Sequence, residues 1–400
     1  MTEQNKKWII RIIMIVISTN VMTFLFVNIG FGAYIRMHKE EIHGSAFEEQ
    51  LDKLVKLEKN IQNEYYKEVD SSVLIDGAMR GMFEAIGDPY SKYYSKEEYE
   101  ALLESIQGTY EGVGIVVVQD ELDNAVVLTP YKGTPAGDAG IAPGDIIIKV
   151  DGEDVVGKGI DYTVSKIKGE ANTPVQLVVL RNETELTFDL QRSKIEIQTV
   201  DSKLMDDGVG YIEITSFEEN TAQDFSDQLQ GLIDQGMTSL IIDLRYNGGG
   251  LVDSVVAIAD DLLGKSEIVY TIDRQGGKVT YTSDEDQITD VPLVVLVNGG
   301  SASASEILGG AVQDLERGVL IGEQTYGKGI VQSIKGMMDG SGYQLTISEY
   351  FTPLGKNIHE IGLTPDIIIP PLEQYINVLN VPEAEDVQLQ EAIKYLKENK

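Results

Sequence analysis

Between Val209 and Pro371 the chain repeatedly sets a short, unbroken apolar run against a glycine-rich turn. Ser239–Leu244 runs into Gly248-Gly249-Gly250 and then a helix-periodic stretch from Leu251 to Leu263. Pro292–Val297 runs into Asn298-Gly299-Gly300 and a second helical stretch from Ser303 to Leu315, and Val319–Glu323 leads to Gly327-Lys328-Gly329. Runs so short and so uniformly apolar fit strands covered on both faces, as in a sheet flanked by helices. The expected class is therefore α/β and multi-domain, with the glycine-rich loops gathered at one end of the strands.

The flanking regions read differently. Residues 45 to about 105 are charged and helix-periodic, with Leu51, Leu54, Val55 and Leu57 and then Met79, Met82, Phe83 and Ile86 as apolar positions. The turn signal Gly87-Asp88-Pro89-Tyr90-Ser91 stops a helix there. From Gly112 to about Ile195 short β runs take over: Val113–Val118, Ala125–Leu128, Asp145–Val150, Val175–Leu180 and Glu185–Leu190. Within them, Gly133–Ile141 reads as a short helix with a capping glycine, and Asp151-Gly152 as a tight turn. The tail from Glu383 to Lys400 forms a helix with Val387, Leu389, Ile393 and Leu396 on its apolar face; it packs on the core or pairs with another subunit. The expected division is a cytoplasmic tail (1–11), a membrane anchor (12–35), a helical region (45–108), a β domain (110–195), an α/β core (196–371) and a helical tail (372–400).

The anchor is read from the absence of any charge between Ile12 and Ile35, a length that spans a bilayer as a helix. Lys6, Lys7 and Arg11 precede it, which places the amino end inside and the body outside the membrane. A cleaved signal peptide is the alternative, although its apolar core is usually shorter. With 32 basic against 65 acidic residues the net charge is −33, so nucleic acid is not an expected partner. There is no cysteine, which excludes disulfides, thiol nucleophiles and cysteine metal sites, and no cofactor is expected.

Histidine scarcity constrains the chemistry. A Ser-His-Asp arrangement needs a histidine outside the membrane, and of the three present, His38, His43 and His359, only His43, just past the anchor, and His359 are plausible. No second histidine completes a His-Glu-x-x-His site around His359-Glu360. Any activated serine then needs another base, and lysine serves when held neutral, a depression of about three pH units or roughly 4 kcal/mol. Gly300-Ser301-Ala302-Ser303-Ala304-Ser305-Glu306 offers serines where a strand turns into a helix, and Lys328 follows in the next glycine-rich turn. Small residues in both places also serve tight packing. Gly322-Glu323-Gln324-Thr325-Tyr326-Gly327-Lys328 mimics the start of a P-loop, but Gly329 stands where Ser or Thr must hold Mg²⁺.

Taken together, Asp243–Gly250, Asn298–Glu306 and Gly322–Gln332 resemble the carboxyl-terminal processing peptidases, or tail-specific proteases, and Gly133–Gly152 resembles part of a PDZ domain. The resemblance covers roughly residues 50–370. It implies a crotonase/ClpP-like protease core with Ser303 as nucleophile, Lys328 as general base and Gln332 as the residue orienting that lysine. Ala304 and Gly249 would supply the oxyanion-hole N–H groups, with Gly248 or Gly250 as substitutes for Gly249. The PDZ carboxylate-binding loop would correspond to Gly112, Val113, Gly114 and Ile115, and the partners to proteins and peptides with apolar carboxyl ends. A homodimer through the helical ends is also implied. Two departures stand out: Gly248 replaces the proline common before the last two glycines, and Lys168 replaces a frequent arginine. The competing class is a catalytically inactive PDZ scaffold at the membrane, against which intact Ser303, Lys328 and Gln332 argue.

Overall fold

The computed structural model describes residues 45–375 and 381–399. The expected membrane helix at 12–35 and His43 lie outside the described residues; among those described, no helix is long and apolar enough to cross a membrane. The chain divides after Met82 into two units.

The first unit holds helix Ser45–Glu64 and most of helix Ser71–Glu84. The Ser71 hydroxyl donates to Glu58 (2.7 Å), and Asp70 caps the second helix by accepting from the Ser72 amide (2.8 Å). The heptad-like stripe Leu51, Leu54, Val55 and Leu57 is exposed.

In the second unit, residues 115–191 form an antiparallel sheet ordered Ile115–Gln119, Ala125–Pro130, Ile146–Val150, Pro174–Arg181, Thr184–Gln191. Helices Pro135–Ala139 and Ile160–Ile167 close its core through Ala136 and Ile167, against Val127, Ile147, Leu177 and Val179. Gly140, at φ 85°, ends the first helix in the left-handed region that glycine adopts without strain.

A second sheet runs Val200–Leu204, Val209–Ile214, Ser239–Asp243, Leu293–Val297, Val319–Gly322, Ile367–Ile368, parallel after the first pair. Its strands alternate between two cores. Leu240, Ile242, Val295 and Val297 meet helices Thr221–Asp234, Val252–Leu262 and Ala304–Asp314 on one face. Ile241, Val294 and Leu296 face the carboxyl-terminal helix Val387–Glu398 on the other, where Leu389, Ala392 and Leu396 are buried. The tail helix therefore packs on its own core. The strand pattern of period two, continuously apolar, is what two-sided burial demands.

A third sheet, ordered Lys92–Tyr94, Gly342–Phe351, Glu267–Asp273, Lys278–Thr282 with Ile330–Gly336 on the free edge of Gly342–Phe351, completes the unit. Its strands mix polar with apolar residues, so the sequence pattern did not mark them.

The tail helix is clasped by Arg245. This nearly buried guanidinium donates to Asp243 (2.6 Å), Asp386 (2.8 Å) and Gln388 (3.0 Å), while Tyr211 donates to Asp243 (2.8 Å). Asp386 also caps the tail helix through the Leu389 amide (3.1 Å). Removing one member leaves buried charge without compensation. Arg245→Met is expected to lower unfolding stability by about 3–5 kcal/mol, read from the urea midpoint of the full chain.

Candidate active site

The loops after Ser239–Asp243, Leu293–Val297 and Val319–Gly322 leave the carboxyl ends of neighbouring parallel strands and so meet. Asn298 joins two of them, its side-chain oxygen accepting from the amides of Tyr246 and Gly300 (both 2.9 Å). Asn247 joins them again: its carbonyl accepts from the Ala302 amide (3.0 Å) and the Ser305 hydroxyl (2.9 Å), and its side chain donates to Ile214 (2.8 Å).

These bonds separate the three serines. Ser305 is fully buried and spent on Asn247; Ser301 is fully buried and donates to the Leu244 carbonyl (2.8 Å). Ser303 alone of the three is partly accessible, and it sits at the N-cap of helix Ala304–Asp314 with φ 57° and ψ −113°. A serine there costs on the order of 1–3 kcal/mol, and such strain collects at functional sites. The turn places its hydroxyl at the positive end of a helix, as a sharp strand-to-helix elbow does.

What holds that conformation is Glu306, completely buried. One carboxylate oxygen accepts from the Thr325 hydroxyl (2.6 Å) and the Gly327 amide (2.8 Å). The other accepts from the amides of Ser303 (2.8 Å) and Lys328 (2.9 Å). The backbones of the two residues expected to do the chemistry are thus fixed to one oxygen atom. Four donors are what a buried carboxylate needs. The sequence reading gave Glu306 no role, although Ser303-x-x-Glu306 is the spacing of a helix capping box. Tyr350, also missed, donates its hydroxyl to the Ser303 carbonyl (3.0 Å); burial first, and the Glu306 charge second, push that hydroxyl well above its usual range.

Lys328 is half-buried. Burial pulls its ammonium below the ordinary lysine range, opposed by the Asp88 and Glu306 carboxylates. Its flanking glycines admit other backbone: a Cβ on Gly327 would stand 2.9 Å from the Gly362 amide nitrogen, and one on Gly329 2.6 Å from that of His359. Gln332 lies on strand Ile330–Gly336, where its side-chain NH₂ donates to the Thr346 hydroxyl (3.2 Å).

Of the expected oxyanion donors, Ala304 occupies the first turn of its helix, where an N–H has no intrahelical acceptor. Gly249 lies close beside it; a Cβ there, at φ 103°, would be 2.8 Å from the Ser303 Cβ and 2.9 Å from the Ala304 nitrogen. Its own amide, however, donates to the Asn247 side chain (2.9 Å), within the loop.

In the β domain, Gly112 ends strand Thr109–Gly112 and Val113 is buried in the core. Gly114 has φ 82° and a Cβ there would overlap Thr134; its carbonyl accepts from the Tyr131 amide (2.9 Å). The Tyr110 hydroxyl is pushed up to about 12 by burial first and by Tyr131 second. Lys168 pairs with Glu104 (2.9 Å).

Glu306→Gln would turn one carboxylate oxygen into an NH₂ group facing N–H and O–H donors. We expect a loss of about 2–4 kcal/mol in stability, read from the urea midpoint, from an isosteric change.

Comparison with known proteins places the sequence in a family. The model of peptidase family S41 matches residues 208–369, that of the PDZ domain residues 126–181, and that of the activating protease CtpB N-terminal domain residues 32–98. The carboxy-terminal processing protease CtpA of Bacillus subtilis is 35% identical over 325 residues, 81% of this chain and 70% of that protein. The carboxyl-terminal-processing protease of Synechocystis is 36% identical over 326 residues, 80% of this chain and 76% of that protein. Among solved structures, the photosystem II D1 C-terminal processing protease is 32% identical with a TM-score of 0.49, covering 83% of this chain and 89% of that one. The chain belongs to peptidase family S41, the serine-type carboxyl-terminal processing peptidases, and carries a PDZ domain.

Proposed function

We propose that this peptidase is an extracytoplasmic endopeptidase, held at the membrane by residues 12–35, that cuts proteins near their carboxyl ends with a Ser303/Lys328 dyad. The observation that carries the reading is the Glu306 carboxylate, whose one oxygen binds the amides of both residues while the remaining serines of the cluster are spent on backbone carbonyls. Neutral Lys328 takes the Ser303 proton as the Oγ attacks the scissile carbonyl. The tetrahedral intermediate collapses to an ester on Ser303, and Lys328 returns the proton to the departing amine. Water, deprotonated by the same lysine, then releases the acyl product. Burial of Lys328 favours the neutral form this requires.

The Ala304 N–H would receive the oxyanion, a donor worth about 3–4 kcal/mol. For Gly249 to add a second, its amide must leave Asn247, so substrate binding would have to turn that side chain. Gln332, its NH₂ held by Thr346, would orient Lys328 by accepting an N–H on its side-chain oxygen. Residues 112–115 would receive the substrate's terminal carboxylate as its chain adds along Ile115–Gln119. Such capture would control access to the cutting site. We take 110–195 as the PDZ domain and 196–371 as the catalytic core, with the exposed stripe of Ser45–Glu64 as a homodimer contact.

The test incubates the full chain in detergent with an unstructured protein of apolar carboxyl end and reads products by mass spectrometry. The parent is expected to cut; Ser303→Ala and Lys328→Ala are each expected to fall by about 10⁴-fold or more. Equal cutting by all three would sink the dyad. Deleting residues 110–195 is expected to abolish the preference for apolar carboxyl ends, read from competing substrates that differ only there.

A further inference from the structure

The turn Gly87–Ser91, which the sequence marked only as a helix stop, lies against the lysine. We infer that this loop forms a wall of the catalytic site, with Tyr90 covering the Lys328 ammonium and Asp88 standing beside it, both acting as positioning residues. The inference rests on the reading of Lys328 as the base. The Lys328 Nζ lies 4.7 Å from the centroid of the Tyr90 ring, and the Tyr90 hydroxyl donates to Tyr326 (3.3 Å), on the lysine's own turn.

The loop is seated rather than draped. Strand Gly342–Phe351 pairs with Lys92–Tyr94 through residues 342–344 and with Glu267–Asp273 through 348–351, both on the edge opposite Ile330–Gly336. Between them that edge has no strand, and the loop fills the gap: the Thr346 amide donates to the Ser91 hydroxyl (3.0 Å), which donates to Asp88 (2.5 Å). Asp88 also accepts from the Tyr90 amide (2.9 Å), and the Thr346 hydroxyl accepts from Gln332 (3.2 Å). The loop thus touches the lysine directly and the glutamine through one threonine.

Tyr90 also lines a cleft of about 820 Å³ whose walls include Gly327, Thr346 and His359. Removing the ring opens Lys328 to water from that side. Tyr90 faces the ammonium and the Asp88 and Glu306 carboxylates act on it by charge, while Tyr326 bonds the Tyr90 hydroxyl and the His359 backbone lies behind Gly329. Asp273, Arg274, Glu349 and Glu360 stand across the cleft. Hydration favours the charged ammonium by more than the lost ring face disfavours it, since a cation over an aromatic ring gains only about 0.5–2 kcal/mol. Asp88 favours the charged ammonium by Coulomb attraction.

The two residues therefore act in opposite directions, and a pH profile separates them. The full chain in detergent is assayed on an internally quenched, unstructured peptide of apolar carboxyl end, recording kcat/KM against pH, whose acidic limb reports the base in the free enzyme. Tyr90→Ala is expected to move that limb up by about one pH unit, a tenfold loss at a fixed pH on the limb, and Asp88→Asn to move it down. Tyr90→Phe, which keeps the ring, is expected to leave the limb where the parent has it. A uniform loss at every pH in Tyr90→Ala and Asp88→Asn, with Lys328→Ala inactive, would leave the base reading standing and overturn this inference. If Lys328→Ala keeps the parental profile, the base reading falls and this inference with it.

Discussion

A carboxylate with no solvent contact must find donors for both oxygens or lose its charge, and Glu306 finds four. Two come from the turn that carries Lys328, one from Thr325 just before it and one from the strained Ser303 amide. The turn and the elbow come from different strand ends, and neither has regular structure of its own to fix it. The shared anion makes their separation a property of one side chain. Strain at Ser303 persists because this anchor and the Tyr350 bond to its carbonyl over-determine the backbone.

Around that anchor, the rest of the core behaves as support. Asn247 and Asn298 lock the neighbouring loops to each other through backbone groups, and Ser301 and Ser305 complete the lattice. Arg245, two residues before Asn247, ties the same loop to the cap of the tail helix. The carboxyl-terminal segment is thereby joined to the glycine-rich loop at 248–250 by a buried ion network, although the two ends of that connection lie far apart in sequence.

Two of the expected site features are present in a form that differs from their expected use. The Gly249 amide is occupied by Asn247, and Gln332 is turned toward Thr346. In each case a polar side chain from the same neighbourhood satisfies a group that would otherwise be left unpaired, since buried N–H groups rarely go without an acceptor. Substrate atoms would have to replace those partners bond for bond.

The sequence alone determined the parts that follow from local pattern. Unbroken apolar runs marked strands buried on two faces, the glycine at 140 marked a helix end, and small residues at 299–305 and 327–329 marked places where backbone must approach backbone. Motif spacing named Ser303 and Lys328. It left Glu306 unassigned, although its capping-box spacing was legible, because that spacing usually signals only a helix start. The mixed strands at 267–282 and 330–351 lacked any strong period, since one face of their sheet is partly exposed. Only the tertiary structure decided which side chain joins the serine's elbow to the lysine's turn, where the tail helix docks, and that Gly87–Ser91 fills a gap in a strand edge beside Lys328. Those contacts, made where packing brings polar groups into reach, join residues from 19 to 255 positions apart, and no local pattern records such partners.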